Sequence, residues 1–389
     1  MVWTYSQARR IGREKLVGVN MKRKKKKSGI ELVIRIELIL LSALLSAAIG
    51  RKLTGRWNDS AWQDEDSRWA SESGEAIEVS AEGNYIKWVE FNVTNEAMAA
   101  AYELDVNSYQ EDIHLNWIEL LAYVGATTGG KFDKSSVKKI NSVAEKLRGG
   151  ESTMEELTKD MDDYDYYLEA YTAVLGGMVG EFSIKEDGQW NRYYGLKAFL
   201  PIAKGFDYSH YDDFGTSRSY GYSRPHLGHD MMGLIGTPII AVESGVVEAR
   251  GWNQYGGWRV GIRSFDGSRY YYYAHLRQNY PYAEGLEEGS VVTAGDVIGY
   301  MGHTGYSTTE NVNNIETVHL HWGLQLIFDE SHKEGNKEIW IDCYELTKFL
   351  YRNRSEVAKV GETREWKRTH EMTDPEVEKH CKTDPAMIQ

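Results

Sequence analysis

The chain has 389 residues, 41% of them hydrophobic, a formal net charge of −13 and only two cysteines, Cys343 and Cys381. That length exceeds what one small core usually supports and predicts more than one domain. Two cysteines exclude a disulfide framework and a cysteine-held metal cluster, so any bound metal must be taken by His and carboxylate. Nothing in the sequence resembles a nucleotide or phosphate loop, which argues against a metal-dependent enzyme of small molecules, and no nucleic-acid partner is expected.

Charge is unevenly spread: residues 1–52 hold 13 Lys/Arg against 3 Asp/Glu, so the remainder is more acidic than the whole. The basic run "MKRKKKK" closes a cytoplasmic segment, residues 1–30. The apolar stretch over 31–50 is close to the length that crosses a bilayer and predicts a transmembrane signal anchor. By the positive-inside rule the acidic bulk is then exported, which predicts a single-pass protein of the cytoplasmic membrane with its main domains extracytoplasmic. A signal cleaved near Ser46-Ala47-Ala48 is the alternative. Met21 opens a signal-like sequence and is an alternative start to Met1. Residues 51–83 are polar and aperiodic and read as a linker.

Over 84–183 the apolar period is helical. Ile118, Leu121, Ala122 and Gly125 form one face; Val137, Ile140, Ala144 and Leu147 form another, with Ser135 or Ser136 as its cap. "STMEE" offers a capping box of Ser152 with Glu155. Four or five helices are expected, as a positioning element or a contact for a protein partner, with Glu119 and Glu169 facing solvent. From 196 to 345 short β-type runs are separated by glycines, which predicts a compact, mainly antiparallel β domain; "FDGS" reads as a hairpin turn. Residues 346–389 read as a C-terminal helix and a polar tail. The fold class is therefore multi-domain α+β, a small all-α domain followed by the β domain, preceded by one N-terminal transmembrane helix.

The chemistry concentrates in two places. "RPHLGHD" brings His226, His229 and Asp230 together, and "VHLHWGL" places His319 and His321 two apart, on one face of a strand. Zinc takes His nitrogen at ~2.0–2.1 Å and carboxylate oxygen at a similar distance, and a catalytic site uses three protein ligands with a fourth position open. His226, Asp230 and one of the 319/321 pair meet that count. Zinc lowers the pKa of water from about 15.7 towards about 7, and a neighbouring imidazole can take the proton.

These residues carry a resemblance. His226-Leu-Gly228-His-Asp230, the strand-closing His275 of "YYYAHL", the "GYMGHTG" loop and His319-Leu-His321 together make residues 196–345 similar to the lysostaphin-type, LytM-like zinc endopeptidases. The resemblance implies one Zn2+ held by His226, Asp230 and His321, with His319 as general base and His275 assisting. It implies Tyr222 (or Tyr220) as a hydroxyl donor to the oxyanion, and peptidoglycan peptides as substrate. The alternative is a catalytically silent scaffold or regulator of a cell-wall complex on the same fold. Two departures stand out: the loop 306–318 is longer than usual, and His229 could compete with His226, although spacing favours His226. His303 is read as a rim residue.

Overall fold

A computed structural model gives the structure and describes residues 89–219, 223–333 and 337–383. The predicted basic segment, anchor and linker lie outside these residues. Among the described residues no helix is long and apolar enough to cross a membrane.

Five helices open the described chain: α1 (Asn95–Ser108), α2 (Trp117–Thr128), α3 (Ser136–Arg148), α4 (Met154–Thr158) and α5 (Tyr164–Leu175). Their starts are set by side chains that satisfy orphan amides. Asn116 Oδ1 accepts from Ile118 N at 2.9 Å and Glu119 N at 3.2 Å to start α2. The capping box forms one residue later than the sequence suggested. Thr153 Oγ1 accepts from Glu156 N, while Glu156 Oε2 accepts from Thr153 N and also from Ser152 Oγ. Neither serine expected to cap α3 does so from the N-cap: Ser135 makes no side-chain cap bond, and Ser136 Oγ accepts from Asp133 N. The predicted faces are buried as expected on α2 and, for Ile140, Ala144 and Leu147, on α3.

The helical reading over 84–183 runs too far. Helix α5 stops at Leu175, and β1 (Val179–Glu186) and β2 (Gln189–Leu196) form a hairpin through Asp187-Gly188. Both turn residues have positive φ, 50° and 81°, as a tight turn matched to strand twist requires.

The remaining strands are β3 (Ser209–His210), β4 (Ser217–Ser219), β5 (Ser223–Pro225), β6 (His229–Met232), β7 (Pro238–Ile240), β8 (Gly245–Asn253), β9 (Gly257–Ser264), β10 (Arg269–Ala274), β11 (Val291–Val292), β12 (Val297–Tyr300), β13 (His319–Leu326) and β14 (Ile339–Ile341). After these come α6 (Tyr344–Leu350), β15 (Val357–Lys359), β16 (Trp366–Arg368), β17 (Met372–Thr373) and α7 (Pro375–Thr383). The main sheet runs β11-β8-β9-β10-β13-β6-β3, with β14 also paired to β13, and its neighbouring strands are antiparallel throughout. "FDGS" turns β9 into β10 as expected.

Strand β13 is the pivot. One face carries Leu320, Trp322 and Leu324, all fully buried in the core with Tyr271, Val260 and Leu346. Each such side chain contributes roughly 1.5–3 kcal/mol of burial, which fixes the register and so commits His319 and His321 to the opposite face. The C-terminal residues are built into the same body: β17 pairs with β1, and Lys197 Nζ meets the buried Asp374 carboxylate at 3.0 Å. Residues from Gly83 onward form one compact unit.

Candidate metal centre

Register builds the centre. His321 on β13 lies opposite Asp230 on β6, and His319 lies opposite Met232. His226 arrives from the loop just before β6. Its Nε2 stands 3.1 Å from Asp230 Oδ1 and 3.0 Å from His321 Nδ1, and His321 Nδ1 stands 2.9 Å from Asp230 Oδ1. Of the 319/321 pair it is His321 that stands within 3.1 Å of both His226 and Asp230. Gly228 makes the approach possible, since a Cβ there would lie 2.4 Å from His321 Cε1.

The donor chemistry fits a cation. A tetrahedral ion with bonds of ~2.0–2.1 Å spaces its donors by about 3.3 Å, close to the spacing here. His226 Nδ1 faces Asp213, with the backbone oxygen and Oδ2 each at 3.3 Å. A proton held there leaves Nε2 with its lone pair aimed at Asp230 Oδ1. Burial pushes the His321 imidazole below its ordinary pKa, towards the neutral form a metal takes. Two imidazoles and a carboxylate therefore converge lone pairs on one point, and the three residues form a metal-capable group.

The sequence reading missed the outer support. Arg218 Nη2 donates to Asp230 Oδ2 at 3.1 Å and to Asp213 Oδ2, so one guanidinium clamps both carboxylates and turns Oδ1 of Asp230 towards the imidazoles. Asp213 Oδ1 is buried without a partner, and burial raises the Asp213 carboxyl pKa. Such outer partners orient metal ligands and fix their tautomers. No local spacing marked either residue.

His319 and His275 sit beside the triad, their rings 4.7 Å apart. His319 Nδ1 faces Thr317 O at 2.8 Å and His275 Nδ1 faces Thr304 O at 2.9 Å, so each donates there and keeps Nε2 as an acceptor. His319 Nε2 is 3.7 Å from Asp230 Oδ1. Burial, then the neighbouring His319 and His321, pushes His275 well below its ordinary pKa. His275 adopts a left-handed φ of 62°, a conformation a β-carbon disfavours. Its amide donates to Gly256 O at 2.8 Å and its carbonyl accepts from Gly302 N at 3.0 Å, which hold that pose.

His229 does not join the triad. Alternation sends it to the other face, where Nε2 meets His210 Nδ1 at 2.8 Å, and burial depresses its pKa to about 3. His303 Nδ1 donates to Ile315 O at 2.7 Å and braces the long 306–318 loop. Tyr222 and Tyr220 lie outside the described residues.

The antiparallel sheet thus presents two imidazoles and a carboxylate around one point, beside a second pair of histidines whose Nε2 atoms are left as acceptors. Residues 224–334 match the profile of Peptidase family M23. It is 35% identical over 178 residues to the L-Ala–D-Glu endopeptidase of Bacillus subtilis (strain 168), covering 46% of this chain and 49% of that protein. It is 37% identical over 89 residues to lysostaphin of Staphylococcus simulans, covering 23% of this chain and 17% of that protein. The chain thus spans about half the length of the first relative and under a fifth of the second. Among solved structures, LytM from Ruminococcus gnavus aligns at 26% identity over 70% of this chain and 92% of its own, with a TM-score of 0.45.

Proposed function

We propose that this chain is a zinc endopeptidase that hydrolyses peptide bonds in peptidoglycan stems or crossbridges, held outside the cytoplasmic membrane by an anchor over residues 31–50. The observation that carries the reading is the convergence of His226 Nε2, Asp230 Oδ1 and His321 Nδ1 within 3.1 Å of one another. Its support beyond the site is the likeness to an L-Ala–D-Glu endopeptidase and to lysostaphin. A zinc ion bound there supplies Lewis acidity, polarising a carbonyl and acidifying water. His319 acts as general base through Nε2, since its Nδ1 proton is committed to Thr317. His275 Nε2 is the second acceptor, held at fixed orientation by Thr304, so neither ring reorients during the reaction. Tyr222 is assigned as the oxyanion donor by resemblance alone.

The test is release of new amino termini from purified peptidoglycan by the zinc-loaded chain. Release that His319→Ala abolishes supports the reading. A chain that binds one zinc and releases nothing refutes it.

A further inference from the structure

Beside the metal group the sheet face opens into a cavity of about 440 Å3, within the range of small-ligand sites. Its floor follows from register: Tyr272 lies opposite Gly261 on β9 and Gly323 on β13, on the face that carries His321 and Asp230. Four basic side chains line it: Arg218, Arg224, Arg259 and Lys333.

Two of the four are already matched. Arg218 clamps Asp213 and Asp230, and Lys333 pairs with Glu248. Arg224 and Arg259 differ. Arg224 Nη2 donates to the Tyr306 hydroxyl at 2.6 Å, and its guanidinium lies over the rings of Tyr255 and Tyr306 at 5.5 and 5.6 Å. Arg259 reaches the Tyr270 hydroxyl, and its Nε is buried without a hydrogen-bond partner. The charges of both act on the Tyr272 hydroxyl, so they face the same part of the groove. Among the described residues neither has a carboxylate within ion-pair distance. A partly buried guanidinium held by neutral hydroxyls keeps unspent donors, and its planar fork suits a carboxylate.

We propose that Arg259 and Arg224 bind a free carboxylate on the peptide next to the scissile bond, so that the groove selects an acidic peptide over an uncharged one. The proposal rests on the peptidase reading above and names the substrate class of that site. A glutamate within a peptide has two carboxyls and spends only one in the chain, so unless the second is amidated it leaves one free. A run of glycines leaves none. A site built to hydrogen-bond a group discriminates strongly against the analogue that lacks it, because its own buried donors are then stranded.

The experiment uses the zinc-loaded full chain and defined stem peptides that differ only at the glutamate, as free acid or amide, with the C-terminus free or amidated in separate arms. Wild type is expected to cleave the free-acid glutamate peptide with kcat/KM at least about tenfold above its amide. Arg259→Gln and Arg224→Gln should each shrink that ratio, mainly through KM, whereas Arg259→Lys should retain part of it. Because the ratio is taken within each variant, partial misfolding does not mimic the effect. A preference that follows only the C-terminal carboxylate, equal cleavage of acid and amide, or a ratio unchanged in both Gln variants overturns the proposal. Equal cleavage leaves the peptidase reading intact; cleavage of neither peptide overturns the proposal, and only if the same zinc-bound chain also releases no amino termini from whole peptidoglycan does that reading fall with it.

Discussion

Replacing Glu243 by Ala tests how the helical segment is fastened to the sheet. Arg269 is 2% exposed and spends every guanidinium N–H. Nε and Nη2 pair with the two Glu243 oxygens at 2.8 and 3.0 Å, Nη2 also meets Asp266 at 2.7 Å, and Nη1 donates to Ser268 Oγ and to Ala173 O at the end of α5. The Tyr271 hydroxyl donates to Glu243 Oε2 at 2.6 Å. Glu243→Ala leaves a buried cation whose remaining carboxylate, Asp266, is half exposed, and it strands the tyrosine hydroxyl. Removing one partner of a buried pair costs about 3–5 kcal/mol, whereas replacing both by apolar groups of similar volume is near neutral or stabilising. Urea unfolding followed by circular dichroism should therefore show a loss of about 3–5 kcal/mol for Glu243→Ala and most of it regained in Glu243→Leu/Arg269→Met. The exposed pair Glu181–Arg192 is the control, with a loss of at most about 1 kcal/mol for Arg192→Ala. A Glu243→Ala loss no larger than the control, or a double variant as weak as the single one, would refute the argument.

Metal analysis should find about one zinc per chain, and His226→Ala or Asp230→Ala should bring it near zero; retention of zinc by Asp230→Ala would contradict the triad. His319→Ala should keep its zinc while kcat/KM falls by about 10²–10⁴-fold, the usual range for a general base. Burial raises the Glu248 carboxyl, but hydrogen bonds from Arg263 and Lys333 outweigh it and hold the pKa below its ordinary value. Its stabilising contribution is therefore present above the unfolded pKa of about 4.3 and lost as pH falls through the folded value, so Glu248→Gln should show a smaller drop in Tm between pH 6 and 3 than wild type. Cys343 is fully buried with its thiol pKa pushed up by burial, whereas Cys381 is partly exposed; the native chain should label at Cys381 alone and at both after unfolding.

What the sequence made legible was what short spacing encodes. His226 and Asp230 lie four apart around Gly228, and His319 and His321 lie two apart on a strand, so local geometry alone brings each pair to one side. The β1–β2 hairpin was written in Asp187-Gly188, but the helical span was carried to residue 183, into the first part of β1. The C-terminal "polar tail" hid because its buried groups are polar: Glu365 accepts from Tyr300, 65 residues away, and Asp374 from Lys197. Asp213 and Arg218 escaped for the same reason, reaching the metal group across 13 and 12 residues. A charged residue in sequence looks solvated until its partner is known, and the converse holds for Arg224 and Arg259. Among the described residues seven of the thirteen arginines pair with a carboxylate, and Arg224 and Arg259 are among the six that do not. What sets these two apart is where they stand: both line the cavity beside the metal-capable group and are held against tyrosine hydroxyls, and a peptide carboxylate is the group that would complete them.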